Sequence, residues 1–164
     1  MRVDLHIHTT ATDGRWPPER VVAKVQSRSI GLFAVADHDT NTNVPVAESL
    51  AREAGLAFLH CVEVSTHLNG NLFHVLAYGF DLEASSLIAL LRENKARAAQ
   101  YNDNVVLSVI AAGHPIDFDE YTAYESDRTR GGWPALNFLI DTGICTGLRD
   151  YFDNLLTNLP VEHP

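Results

Sequence analysis

Val3, Leu5 and Ile7 alternate with Asp4, His6 and His8 at the start of the chain, and a short Thr-rich stretch then leads to Asp13-Gly14. Strict alternation is the mark of a strand, in which residues i and i+2 project to one face. The pattern predicts a strand over residues 2–8 with the imidazoles of His6 and His8 side by side, close enough to share one metal ion. Asp13 follows after a turn that can fold back over the strand end. Two neutral imidazoles with a nearby carboxylate suit Zn²⁺, Mn²⁺ or Fe²⁺. A lone His-x-His also describes an edge strand with two solvated histidines. The downstream residues decide between the two.

Those residues alternate strands and helices. Pro17-Pro18-Glu19 opens a helix, because proline suits a first turn and an acid suits its positive end. Val21, Val22, Val25 and Ile30 give it an apolar stripe, and Gly31 is expected to end it. Leu32 to Ala36 reads as a buried parallel strand that stops at Asp37-His38-Asp39. A second helix runs over about 45–54 and closes at Gly55. Ala57 to Thr66 reads as one strand carrying Glu63, Asn69-Gly70-Asn71 as a turn, and Leu72 to Phe80 as a strand carrying His74. The order strand-helix-strand-helix-strand-strand predicts an α/β fold with a mostly parallel sheet and right-handed crossovers.

The second half is helical: one long helix from Leu87 to Ala112, then Asp117 to Tyr124, Pro134 to Asp141 and Leu148 to Leu156. The expected division is an α/β metal-binding region over 1–99 and a helical insertion over 100–164. The 164 residues suffice for a real core, and 46% hydrophobic with 20% charged residues is ordinary for a globular protein. A net charge of −9 argues against non-specific grip on nucleic acid or anionic membrane. It leaves room for a phosphate substrate where bound cations reverse the local field. Cys61 and Cys145 are too few and too ill-spaced for a disulfide framework or a zinc knuckle, so a reducing cytoplasm is the expected location. No basic-then-apolar leader precedes the first strand, and no stretch nears the roughly 20 apolar residues of a membrane span.

The polar residues fall at corresponding places. His6 and His8 close the first strand, His38 the second, Glu63 lies late in the third and His74 in the fourth. In a parallel α/β sheet the carboxyl ends of the strands share one face, where active sites form. Four strands would thus deliver imidazoles and carboxylates to a common rim. Glu63, in the apolar context Cys61-Val62-Glu63-Val64, is costly to bury unless paired or bound to metal.

These residues resemble the PHP (polymerase and histidinol phosphatase) family. The resemblance is carried by the His-x-His strand, Asp13-Gly14, Ala36-Asp37-His38-Asp39-Thr40, Val62-Glu63-Val64-Ser65 and Phe73-His74-Val75-Leu76-Ala77-Tyr78-Gly79, which cover about residues 1–80. It is nearest to bacterial metal-dependent phosphoesterases acting on nucleotides or short nucleotide diesters. The tail is similar to the helical insertion of that subgroup, through Pro115-Ile116-Asp117 and Asn137 to Gly143. The resemblance implies the N-terminal part of a distorted (β/α)7 TIM-like barrel with a helical insertion, and divalent ions, up to three in the complete fold. His6, His8 and Glu63 would hold one, Glu63 and His74 a second, Asp13 and His38 a third, with Asp37 and Asp39 orienting His38. The later His-Pro and Asp-x-His motifs of the family are not recognisable. His114-Pro115 follows a helix, and His163-Pro164 has no strand around it. The expectation is therefore a short form with fewer ions, whose exposed strand edges favour a homo-oligomer.

Among the remaining residues, His60 and His67 read as structural or solvated and Cys61 as packing. Arg92, Lys95 and Arg97 form a basic helix face, of which Arg97 is a candidate for substrate phosphate. Arg130 is another, because Gly131-Gly132 before a proline-started helix leaves backbone N–H groups for an anion. Trp133 reads as core. The expected activity is hydrolysis of phosphomonoesters or diesters of nucleotide-like substrates by metal-activated water, with Asp13 or His38 protonating the leaving group. The partner is a phosphate-bearing small molecule or short oligonucleotide, with no stable nucleic-acid complex and no membrane. Two alternatives stand beside it: a metal-binding or interaction module without turnover, and amidohydrolase-type chemistry.

Overall fold

The computed structural model describes residues 1–161, so His163-Pro164 lies outside the described residues. The chain divides into two units: Met1–Lys95 with Arg128–Gly131, and Ala96–Asp127 with the residues from Gly132 onward.

In the first unit, strand β1 (Arg2–Ile7), helix α1 (Pro18–Ser27), strand β2 (Ile30–Val35), helix α2 (Val44–Glu53) and the short strand β3 (Ala57–Phe58) build a parallel sheet of order β1-β2-β3. The central strand β2 is buried on both sides, which is why its sequence is a continuous apolar run. Phe33 and Val35 pack on Val21, Val22, Val25, Ala47 and Ala51 of the two helices. Ala34 and Ala36 face Cys61, Leu5, Leu59 and Leu76 instead.

Two expectations about these elements are corrected. Helix α1 ends before Gly31. Ser29 takes the left-handed turn (φ 53°), and Gly31 lies inside β2. The run 57–66 is also two strands, not one. After β3 the chain leaves the first sheet at Leu59-His60, and strand β4 (Cys61–Leu68) pairs antiparallel with strand β5 (Asn71–Tyr78). The Asn69-Gly70 turn joins them with φ of 53° and 78°, the positive pair a two-residue hairpin requires. There are therefore two sheets: three parallel strands, and an antiparallel hairpin whose β4 meets the segment after β2 through a single parallel bridge, His38 to Glu63.

Helix α3 (Ser85–Ala111) contributes Leu87 and Leu91 to the first unit, where they pack on Val62 and Val64. In the second unit Val105, Val106 and Val109 pack with helix α5 (Pro134–Asp141), Cys145 and Tyr151 into a separate core, beside helix α4 (Phe118–Thr122). Trp133 packs edge-on to Tyr151 at 5.5 Å in that core, as its sequence context suggested. The last expected helix is irregular. It runs as an α-turn over Leu148–Asp150, a π-turn over Tyr151–Leu155 and a 3₁₀ turn over Leu156–Asn158. No helix among the described residues is long and apolar enough to cross a membrane.

Candidate metal centre

Four imidazoles form an arc around one carboxylate. The ring centres of His6 and His8 are 4.9 Å apart, those of His8 and His38 4.6 Å, and those of His38 and His74 4.6 Å. Inside the arc, Glu63 Oε2 lies 2.8 Å from His6 Nε2, 2.9 Å from His8 Nε2 and 3.6 Å from His38 Nδ1. Glu63 Oε1 lies 3.2 Å from His74 Nδ1. The donors fall into three overlapping groups: His6–His8–Glu63, His8–Asp13–His38 and His38–Glu63–His74.

The first group fits a divalent cation. His6 Nε2 and His8 Nε2 are 2.9 Å apart, so with Glu63 Oε2 they form a nearly equilateral triangle of donor atoms. A cation with donors at about 2.1 Å sets them about 3.0 Å apart at right angles and about 3.4 Å apart in a tetrahedron. The triangle matches one face of an octahedron. His8 is also tautomerically prepared. Its Nδ1–H donates to Asp13 Oδ1 at 2.6 Å, which leaves the Nε2 lone pair facing the triangle. Asp13 Oδ2 then lies 3.8 Å from His38 Nε2.

Local structure puts each donor in place. Glu63 is locked to the segment carrying His38 by backbone bonds from Asp39 N–H to its carbonyl (2.9 Å) and from its own N–H to Asp37 O (3.2 Å). His74 sits opposite Ser65 on the hairpin, hence diagonal to Glu63 on the same face. Antiparallel pairing therefore brings His74 to the site, a correction to the rim of four parallel strand ends. Asp13 rides on a tight turn in which Thr12 and Gly14 both donate to Thr9 O. A Cβ at Gly14 would stand 2.3 Å from His8 O, so only glycine lets the turn close over the strand end.

Asp37 and Asp39 do not orient His38, contrary to expectation. Asp37, buried at 1% exposure, accepts from Thr9 N–H (2.7 Å), Thr9 Oγ1 (2.6 Å) and Thr12 Oγ1 (2.8 Å). Asp39 accepts from Ser65 N–H (2.9 Å), Ser65 Oγ (2.5 Å) and Asn94 Nδ2 (2.8 Å). The two acids brace the banks on either side of His38. Thr9, Ser65 and Asn94 were not singled out in the sequence. The usable signal was that two acids next to a buried strand need donors from somewhere.

Among the peripheral candidates, Arg130 belongs to the 3₁₀ turn Arg128–Arg130 of the first unit. The next residue, Gly131, approaches Asp13 O so closely that a Cβ there would be 2.8 Å away. The Gly131 N–H donates to Arg128 O at 3.2 Å, so it is not held open for an anion as expected. Arg97 lies on α3 within the second unit. His114 is exposed beyond the end of α3, His67 is exposed on the hairpin, and His60 lies 3.0 Å from Glu48. Burial pushes the Cys61 thiol up to about 11, which makes it unreactive packing.

The electrostatics favour charged carboxylates. Burial works to raise the Asp13 pKa, but the His8 hydrogen bond and the nearby imidazoles outweigh it and bring the value to about 2. Glu63 is likewise lowered against its burial, by His6, His38 and His8. Burial also works against charge on His8, yet the Asp13 hydrogen bond and the charges of Asp13, Glu63 and Asp37 raise its pKa. His38 goes the other way: burial dominates and lowers it, so its imidazole is neutral at physiological pH.

Known proteins are similar to this sequence. The chain is 33% identical over 108 residues to a 5'-3' exoribonuclease of Haemophilus influenzae, covering 63% of this chain and 39% of that protein. It is 27% identical over 156 residues to a 3',5'-nucleoside bisphosphate phosphatase of Chromobacterium violaceum, covering 94% of this chain and 55% of the relative. It is 27% identical over 157 residues to the 5'-3' exoribonuclease Rnm of Escherichia coli, covering 93% and 53%. The chain thus spans about half the length, or less, of these curated relatives. No protein-family model matches it. A solved structure from Chromobacterium violaceum, described as an amidohydrolase with bound sulfate, superposes with a TM-score of 0.79 at 26% identity, covering 96% of this chain and 56% of that one. A structure from Bifidobacterium adolescentis shares the fold, with a TM-score of 0.78 at 23% identity and coverage of 99% and 60%.

Proposed function

We propose that this chain belongs to the PHP family and supplies the metal-binding part of a phosphoesterase that hydrolyses nucleotide-like phosphomonoesters or diesters. The observation that carries this reading is the convergence of four imidazoles on Glu63. The names of the relatives, a bisphosphate phosphatase and two exoribonucleases, support phosphoester substrates. The sulfate of the Chromobacterium violaceum neighbour supports the same class, since sulfate has the shape and charge of a phosphate group. The parallel sheet is then the beginning of a distorted (β/α)7 barrel, with 1–99 as the metal-binding region and 100–164 as a helical insertion.

His6, His8 and Glu63 would hold one divalent ion, Glu63 and His74 a second, Asp13 and His38 a third. The imidazole and carboxylate donors suit Mn²⁺, Zn²⁺ or Fe²⁺. Bound cations of this kind lower the pKa of water and offset charge on phosphoryl oxygens. The protein's own contribution is orientation. Asp13 holds the His8 tautomer and Glu63 gathers the imidazoles. Of the two candidates for protonating the leaving group, Asp13, brought to a pKa of about 2, carries no proton near neutrality, so that role falls to a ring N–H of His38. Arg130, carried on the turn beside the Asp13 loop, and Arg97 would meet substrate phosphate. In a chain that turns over, Arg130→Ala is expected to raise KM about tenfold with kcat little changed, and steady-state kinetics check it. The partner is a small phosphate-bearing molecule or short oligonucleotide in the cytoplasm. The exposed Leu68, Leu72, Phe73 and Val75 of the hairpin support association of like chains.

The test is elemental analysis together with hydrolysis of a phosphomonoester, a phosphodiester and an amide side by side with added Mn²⁺. Bound metal with phosphoester turnover supports the proposal. Amide turnover alone favours the amidohydrolase reading, for which the description of the structural neighbour speaks. Metal without any turnover favours a binding module. A chain that binds no metal overturns all three.

Metal binding should also depend on pH with a definite sign. Ligation needs a neutral imidazole, and the His8 pKa is raised, so protons compete there already near neutrality. Mn²⁺ affinity is expected to be full at alkaline pH and to fall as pH drops through neutrality. Calorimetric titrations at about pH 8, 7 and 6 read this directly, spanning the ordinary imidazole value of about 6.5. A constant affinity across that interval contradicts the assignment of His8.

A further inference from the structure

Asn94 occupies the first half of α3, where asparagine is a poor helix former and gains nothing locally. Its amide nitrogen is fully engaged. Nδ2 donates at 2.8 Å to Asp39 Oδ1 and at 2.8 Å to Ser65 O, so both amide hydrogens have acceptors. Those two acceptors belong to the strands and segments that carry the donor group His38–Glu63–His74. Asp39 adjoins His38 and is itself held in a left-handed conformation, φ 49°, where a non-glycine residue is strained. Ser65 is the cross-strand partner of His74, two residues after Glu63 on the same face. Asp39 also accepts from Ser65 N–H and Oγ, and its N–H donates to Glu63 O. These bonds form a closed knot, Asn94–Asp39–Ser65, with His38, Glu63 and His74 around it.

We infer that Asn94 is a positioning residue for the His38–Glu63–His74 group, fixing the spacing on which metal binding there depends; the inference rests on the metal reading of the site. Its role differs from that of packing. Leu91, one turn earlier on the same helix, secures α3 to Val62 and Val64 through apolar contact. Asn94 instead ties the helix to two polar points whose separation sets the His38-to-His74 distance. No other side chain supplies two N–H donors at this reach: aspartate of the same shape supplies none and places a second carboxylate against Asp39. The His6–His8–Glu63 group, whose histidines are held by β1 and by Asp13, does not depend on the knot in this way.

The test is a Mn²⁺ titration of the whole chain followed by electron paramagnetic resonance and calorimetry, on wild type and on Asn94→Ala. The expected result is loss of about 10- to 100-fold in affinity for the ions assigned above to Glu63–His74 and to Asp13–His38, with the ion at His6–His8–Glu63 retained. Asn94→Asp is expected to lose more than Asn94→Ala, a ranking that packing would reverse because aspartate fills the space. Should Asn94→Ala fail to fold, Ser65→Ala removes only the Oγ bond to Asp39 and is expected to weaken binding of the same ions several-fold. Identical titrations for wild type and the folded variants overturn the inference while leaving the metal reading intact. A wild-type chain that binds no Mn²⁺ overturns both.

Discussion

Glu63→Gln is expected to lower divalent-metal affinity more than about 100-fold and to remove phosphoester turnover with it, the latter by about a thousandfold or more. Glu63 is the one carboxylate common to two of the three donor groups. Its Oε2 is within 2.9 Å of His6 and His8 Nε2, and its Oε1 within 3.2 Å of His74 Nδ1. Glutamine keeps the shape but replaces one oxygen by an amide group that is a donor only, aimed where a cation needs a lone pair. It also removes the negative charge that offsets the ion. The fold should survive, because the bonds tying residue 63 to Asp37 and Asp39 run through its backbone. Circular dichroism checks the fold, calorimetry with Mn²⁺ the affinity, and a diester assay the turnover. A variant that binds as many ions as tightly as wild type would contradict the central role of this carboxylate.

Asp37→Ala is expected to destabilise the protein by about 3 kcal/mol, which corresponds to about 10 °C in Tm at this chain length. The carboxylate is buried and accepts three hydrogen bonds, two of them from Thr9, which has no exposed surface. Alanine leaves the two Thr9 donors buried without that acceptor. Thr9 Oγ1 in turn accepts from Asn43 and from Ala11 N–H, so the loss extends along the loop that ends at Asp13. Asp37→Asn keeps one acceptor oxygen and is expected to cost about half as much. Urea unfolding with a shared m-value measures the difference. A midpoint for Asp37→Ala equal to wild type would show that the network is not held by this acid.

The resemblance of the first 80 residues to known phosphoesterases, and the donor residues themselves, were readable along the chain because the signals are local. His6 and His8 share a strand face by alternation, Gly14 closes the turn behind Asp13, and Asn69-Gly70 marks the hairpin before His74. Glu63 drew notice through its apolar neighbours, its place late in a strand and the Val62-Glu63-Val64-Ser65 resemblance. What misled was the run from Ala57 to Thr66, uniformly strand-like in composition. Nothing in its side chains announces that the chain changes sheets at Leu59-His60. The irregular end over Leu148–Asn158 had no local signal either, since its apolar spacing also fits a regular helix.

Local chemistry along the chain therefore determined which atoms are offered: two imidazoles on one strand face, a further pair on later elements, and carboxylates at residues 13 and 63. Tertiary structure alone decided which atoms meet. The partners of Asp37 and Asp39 lie 25 to 55 residues away in sequence. An acid beside a histidine looks like its orienting group until the chain brings it Thr9 on one side and Asn94 on the other. Hydrogen-bonding capacity is written in residue type, but its direction is settled only when distant backbone closes around it, because a buried carboxylate takes whichever donors the packing leaves within reach.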